Sequence, residues 1–275
     1  MATAVSAFSA ISALRFDRTV PLELVHRRSL SEVFLTDSRA VGEAGFVAAA
    51  QVPAFHAHRT ECPSGSTIDA LLLLECCRQA ETHAAHKHFN VPDDAGSVVR
   101  SWAFSFPGPA GRAPLHGPAD VVIMAETCEG RQAGQFLRAL CYRMHVIESG
   151  RYVGEIRMDT AYLPGRAYRA ASAQHRGAGL FERPRGPVPG IALMDAGRQA
   201  ALAVVKAAVP TAAAWRLTAL DADFERYVEP DSSLAVVTHP PRRGVTGRDI
   251  RVPVTFEQYD RVSARATLTL TRAHL

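Results

Sequence analysis

The 275-residue chain lacks an apolar run of the roughly 18 residues that a membrane-spanning helix requires. It also lacks any block of about five or six like charges and any C-x-x-C pair. These absences argue against a transmembrane helix, a nucleic-acid-binding footprint and a structural zinc site. Its five cysteines, Cys62, Cys76, Cys77, Cys128 and Cys141, are odd in number and confined to the first half, and two of them are adjacent. Such a set is a poor disulfide framework and reads as reduced thiols in a reducing compartment. The opening MATAVSAFSAISALRF carries no Lys or Arg ahead of its apolar stretch, which disfavours a secretory signal. The expected location is cytoplasmic. The formal net charge of +4 is mild, and the basic spots Arg183–Arg185 and Arg242–Arg243 lie among prolines and glycines as solvated loops.

The chain contains a self-match. LLLLECCRQAETHAAHK (71–87) and IALMDAGRQAALAVVK (191–206) share an acid-x-x-Arg-Gln-Ala core. Glu75 aligns with Asp195, Arg78 with Arg198 and Gln79 with Gln199 at one constant separation, and Val91-Pro92 aligns with Val209-Pro210 at nearly the same one. A period this long indicates a duplicated domain. Both segments are rich in Ala and Leu and end shortly before Val-Pro, so each is expected to be a helix. Each is apolar nearly all round, which implies burial on most sides.

Runs rich in Val, Ile, Thr, Phe and Tyr follow each helix: 98–106, 119–130, 134–149 and 151–163 in the first half, then 215–228, 233–240, 249–260 and 261–272 in the second. Segments 22–37 and 45–52 supply further strand or short-helix material. The Pro/Gly-rich stretch 107–118 reads as a surface loop. One long buried helix wrapped by an antiparallel sheet is the hot-dog arrangement, an α+β architecture, and two tandem copies can pair within one chain. The expected division is 1–165 for the first domain with an N-terminal extension and 166–275 for the second.

The string VPGIALMDAGRQ (188–199) resembles hot-dog dehydratases of fatty-acid synthesis. Those enzymes need a histidine shortly before the Pro-Gly, where this chain has Leu180-Phe181, so a standard dehydratase is not expected. A closer resemblance rests on LVHRRSLSEVFLTD, LLLLECCRQA, GLFERPRGPVPGIALMDAGRQA and DADFERYVEPDSSL in that order. Together these look like the A-factor (γ-butyrolactone) biosynthesis family of double hot-dog proteins. The resemblance implies an acyltransferase that passes a β-ketoacyl chain from acyl carrier protein to the hydroxyl of dihydroxyacetone phosphate or a similar small phosphorylated acceptor. It places the functional acid on Glu75 and the functional arginine on Arg198. No cofactor, metal or nucleic acid is implied, and a homodimer is compatible with it.

Acyl transfer to an alcohol needs a base for the hydroxyl proton and a donor for the developing oxyanion. Glu75 on a buried helix suits the role of base or orienter, since burial raises a carboxylate's pKa while a nearby Arg opposes the rise. Arg78, at i+3, is placed to orient it. Arg198 suits an acceptor phosphate or the thioester oxyanion, with Asp195 three residues earlier to hold it. Gln79 and Gln199 are expected at the substrate, and the helix starts after Gly65 and at Gly190 present backbone N–H groups. The competing reading is that these buried acid–Arg pairs merely satisfy one another. His83, His86 and His88, with His56 and His58 upstream, form no recognised metal spacing and read as partly exposed groups near a helix end. Two functional alternatives remain at this point: a hot-dog thioesterase, or a non-catalytic acyl-ligand-binding regulatory protein.

Overall fold

In the computed structural model the described residues are 2–53, 68–107, 117–133, 136–168, 188–209, 214–244 and 247–272. A first helix, α1 (Ala2–Ser12), and two 3-10 turns (Leu22–Val25 and Leu30–Glu32) lead into an antiparallel hairpin, β1 (Leu35–Val41) and β2 (Gly45–Val52). Asp69 then caps the first long helix, α2 (Ala70–Lys87), by accepting a hydrogen bond from the Leu71 N–H at 2.8 Å. Every residue of α2 except Arg78 and Lys87 is buried. Four strands follow: β3 (Gly96–Ser105), β4 (Ala119–Ala133), β5 (Phe136–Glu148) and β6 (Arg151–Leu163).

The second half repeats the plan. The helix α3 (Gly190–Ala208) precedes β7 (Trp215–Phe224), β8 (Ala235–Thr238), the short β9 (Arg242–Arg243), β10 (Asp249–Gln258) and β11 (Arg261–Arg272). All strands join one 11-stranded sheet in the order β1-β2-β4-β5-β6-β3-β7-β11-β10-β8, with β9 on β10. The halves meet where β3 pairs antiparallel with β7, from Ser101 opposite Asp223 to Ser105 opposite Ala219. These are the strands that follow each long helix, so equivalent strands pair across a local twofold and the two helices sit beside each other on the sheet. This is the tandem double hot-dog that the duplicated pattern implies.

Burial departs from expectation along α3. The face of α3 carrying Leu193, Met194, Ala201, Leu202 and Val205 is buried, while Gln199, Ala203 and Lys206 are exposed. The first helix is covered on its outer side by the turn at Leu22–Val25 and by β1, and the described residues of the second half provide no counterpart of β1 and β2. The apolar character of α3 therefore overstates its burial.

Two glycines of α3 mark close approaches. A Cβ at Gly190 would meet the Trp102 ring at 3.0 Å, and one at Gly197 would meet the Phe256 ring at 2.9 Å. Phe256 is fully buried on β10 and has nowhere to retreat. Gly197→Val is expected to lower stability by about 1–3 kcal/mol through overpacking. The measurement is a urea midpoint that falls with the slope unchanged.

Candidate functional site

Among the described residues, two ionic clusters and a cavity lie close to the two long helices. In the first cluster Glu75, 4% exposed, holds two guanidiniums. Arg78 donates from Nε to Oε2 and from Nη2 to Oε1, both at 2.8 Å, in a bidentate pair. Arg27, from the segment after the first 3-10 turn, reaches Oε1 at 2.6 Å. Gln79 also donates to Oε1, at 2.7 Å. The carboxyl is held down from an ordinary 4.5 to about 2: burial pushes it up, and the charges of Arg78 and Arg27 with the hydrogen bonds from Arg78 and Gln79 outweigh that push. Of the two opposing effects expected at Glu75, the arginine charges prevail over burial, because two guanidiniums accompany it out of water. A carboxylate this acidic is a strong anchor and a weak base.

Gln79 is completely buried, and its amide is used in full. Its oxygen accepts from the Phe34 and Leu35 N–H groups at 2.9 and 3.2 Å, and its nitrogen donates to Glu32 O and Glu75. That exhausts the hydrogen-bonding capacity of a carboxamide. The residue pins the start of β1 to α2 and has nothing left for a substrate, contrary to the expectation from its position in the repeat.

The second cluster centres on Arg198, 3% exposed. It donates to Asp69 Oδ2 at 2.5 Å and forms a very short pair with Asp195 Oδ1. Asp69 is the cap of α2, so one carboxylate closes the first helix and anchors the second. Gln199 donates to Asp195 at 3.0 Å from an exposed position. Glu75 and Asp195 share the wall of a small crevice of about 30 Å³ with Leu71, Leu72 and Ile191. Arg198 is turned away from that crevice toward the cap, because a guanidinium removed from water is stabilised between two carboxylates. Of the residues the resemblance singles out, Glu75 lines the crevice and Arg198 does not.

The principal cavity, about 270 Å³, opens beside the first cluster and is built by both halves. That size lies close to the lower end of small-ligand sites, ~300 Å³. Its polar lining includes His26, Arg27, Arg78, Glu81 and Thr82, with Arg226 from the other half. Its apolar lining comes from Val99 and Trp102 of β3, from Ile191 and Leu193 of α3, and from Phe224 and Val228. Gly190 and Ile191 place the first turn of α3 against this space, and first-turn N–H groups have no partner within a helix. Four lining residues, Arg27, Arg226, His26 and Glu81, were not singled out from the sequence. The available signals were the strings LVHRRSLSEVFLTD, which holds His26 and Arg27, and DADFERYVEPDSSL, which holds Arg226.

The histidine reading is corrected as well. His83 and His86 are buried, and His83 is lowered to about 4 by burial and by the neighbouring His88, Lys87 and His86, so it is neutral near pH 7 and is no cation for the helix dipole. His56, His58 and Gly65 lie outside the described residues. Among the described residues no group of three or more His, Cys, Asp or Glu is placed to hold a metal, and no helix is long and apolar enough to cross a membrane. Cys76, Cys77 and Cys128 are free thiols.

Comparison with known proteins defines the class. The A-factor biosynthesis hotdog domain family matches the chain twice, over residues 9–164 and 167–273. The chain belongs to that family, and it is an enzyme of the acyl-transferring kind. It is 27% identical to the 2-oxo-3-(phosphooxy)propyl 3-oxoalkanoate synthase of Streptomyces virginiae, over 88% of this chain and 94% of that one. Among solved structures it shares its fold with an oleoyl thioesterase of Lactobacillus plantarum at 12% identity, with a TM-score of 0.57 over 85% of this chain and 99% of that one. The 12:0-ACP thioesterase of Umbellularia californica is also 12% identical, with a TM-score of 0.53 over 82% and 94% of the two chains.

The depressed carboxyl of Glu75 makes a prediction about acid stability. Because the folded value, about 2, lies below the ordinary 4.5, its contribution is present in full above pH 4.5 and is lost as pH falls toward 2. The contribution is on the order of 3 kcal/mol. Wild type is expected to lose stability between these pH values more steeply than Glu75→Gln in urea titrations. Parallel losses in the two proteins would contradict the assignment.

Proposed function

We propose that the protein transfers a β-ketoacyl group from an acyl carrier protein thioester to the hydroxyl of dihydroxyacetone phosphate or a similar small phosphorylated acceptor, as a step in making a γ-butyrolactone-type signalling molecule. The observation that carries this reading is the two-part lining of the cavity shared by the halves. Three arginines, Arg27, Arg78 and Arg226, line it together with apolar side chains from both halves. An acceptor phosphate matches the first and the acyl chain matches the second. The chemical name of the Streptomyces virginiae relative describes the ester such a transfer would make. We also place the boundary between the two domains at residues 165 and 166.

In this reading Glu75 acts as the orienter of Arg27 and Arg78. It holds both guanidiniums beside the cavity that would take the acceptor phosphate while compensating part of their charge. Arg198 acts through the helices it ties together: by joining Asp195 to the cap of α2 it fixes the first turn of α3, whose N–H groups are suited to a developing thioester oxyanion. Asp195 and Gln199 steady that guanidinium, and Gly190 lets the helix start lie against Trp102.

The test is thiol release from a β-ketoacyl thioester with and without dihydroxyacetone phosphate. Release that depends on the acceptor is expected, with loss of turnover in Glu75→Ala and in Arg198→Ala. Arg27→Met is expected to raise KM for the phosphorylated acceptor about 10- to 100-fold, the loss of a charge-assisted hydrogen bond. Equal release without acceptor would identify a thioesterase, and tight acyl binding with no release would identify a non-catalytic binder.

A further inference from the structure

The proposed transfer, on which this inference rests, needs a base, and Glu75 is too strongly held as an anion to serve as one. A second acid of α2 lines the same cavity. Glu81 is 2% exposed and contacts the cavity together with Arg78 and Thr82. Its Oε1 accepts the Tyr162 hydroxyl at 2.6 Å, and its Oε2 accepts the Thr82 hydroxyl at 3.0 Å. The Tyr162 oxygen is in turn bonded to the Tyr142 hydroxyl at 2.7 Å. The two phenols come from neighbouring strands, β6 and β5, and both are buried.

We propose that Glu81 is the catalytic base of the acyl transfer, positioned by the buried Tyr142–Tyr162 pair. Each carboxylate oxygen keeps a lone pair beyond the bond it already accepts, so the group can take a substrate proton without breaking its supports. The acceptor O–H gives its proton to the Glu81 carboxylate while its oxygen bonds to the thioester carbonyl carbon. Collapse of the tetrahedral intermediate breaks the C–S bond, and Glu81 returns the proton to the departing sulfur. Thioester and alcohol become ester and thiol, and Glu81 is regenerated as a carboxylate.

The surroundings suit that cycle. Burial pushes the Glu81 carboxyl up, against lowering by the Tyr162 and Thr82 hydrogen bonds and the more distant Arg78 charge. A base is most effective when its pKa approaches the working pH. The other charged or titratable groups that face it are Arg78 on its own helix, the phenols of β5 and β6, and His26, Arg27, Tyr168, Glu225, Arg226 and Tyr227 around the cavity. Near the same helix, Glu75 is acidic because two guanidiniums embrace it, whereas Glu81 meets only hydroxyls directly.

The experiment measures thiol release from a β-ketoacyl N-acetylcysteamine thioester across pH, with and without dihydroxyacetone phosphate, for wild type, Glu81→Gln and Tyr162→Phe. Glu81→Gln is expected to lower kcat about 100-fold or more with little change in KM. Tyr162→Phe removes a hydrogen bond that lowers the Glu81 carboxyl, so it is expected to move the acid limb of the kcat profile to higher pH. Wild-type kcat in Glu81→Gln, or an unmoved acid limb in Tyr162→Phe, would overturn the proposal. Release that is independent of acceptor but still sensitive to Glu81 would remove the acyltransferase reading and keep the base. No release by wild type under either condition would overturn both.

Discussion

Arg198 reaches from the third turn of α3 to the residue that caps α2, and there its guanidinium lies buried between Asp69 and Asp195. A charge so far from water is tolerable only when paired, and removing one partner from such a group typically costs about 3–5 kcal/mol. The consequence is geometric. Asp69 can cap α2 and hold Arg198 only if the start of α2 lies against the third turn of α3. That placement brings Gly190 against Trp102 and turns the first turn of α3 toward the cavity. The β3–β7 pairing sets the same relation from the sheet side. The cavity between the halves exists because these two constraints agree.

On this frame, one helix carries two acids with opposite electrostatic fates. Glu75 leaves water in the company of Arg78 and Arg27 and stays ionised far below neutrality. Glu81 leaves water in the company of hydroxyls and is pushed the other way. Environments that separate two carboxyl groups in this manner assign them different work: one fixes cations and the other exchanges a proton. The arginines that Glu75 anchors face the same space that Glu81 lines, so the anion site and the base can serve one acceptor.

Much of the architecture is written locally in the chain. The repeated acid-x-x-Arg-Gln-Ala marks both central helices, and the strands after each one follow from β-branched and aromatic runs closed by turns. Residues acting through distant partners are a different matter. Arg27 and Glu75 are far apart in sequence and touch only because the first 3-10 segment folds over α2. Within ETHAAHK, Glu81 looks like an ordinary helix residue until Tyr162, from the last strand of the first half, arrives against it. Arg198 is visible as part of the repeat, yet its partner Asp69 precedes the first helix and has no mark that distinguishes a cap from an anchor. The identical motif also hides a difference in burial, since Gln79 is fully enclosed while Gln199 is exposed.

The most direct test of this account is a double-mutant cycle on the bridge between the halves, using Asp69→Asn, Arg198→Met and the double variant in urea unfolding. Asn retains a capping oxygen, so the cycle isolates the ionic contact from the cap. The account predicts a coupling energy of at least about 1.5 kcal/mol, with the double variant more stable than the two single losses added together. Losses that add to within about 0.5 kcal/mol would show that Asp69 and Arg198 act independently, and the bridge would no longer explain how the two halves come to share one cavity.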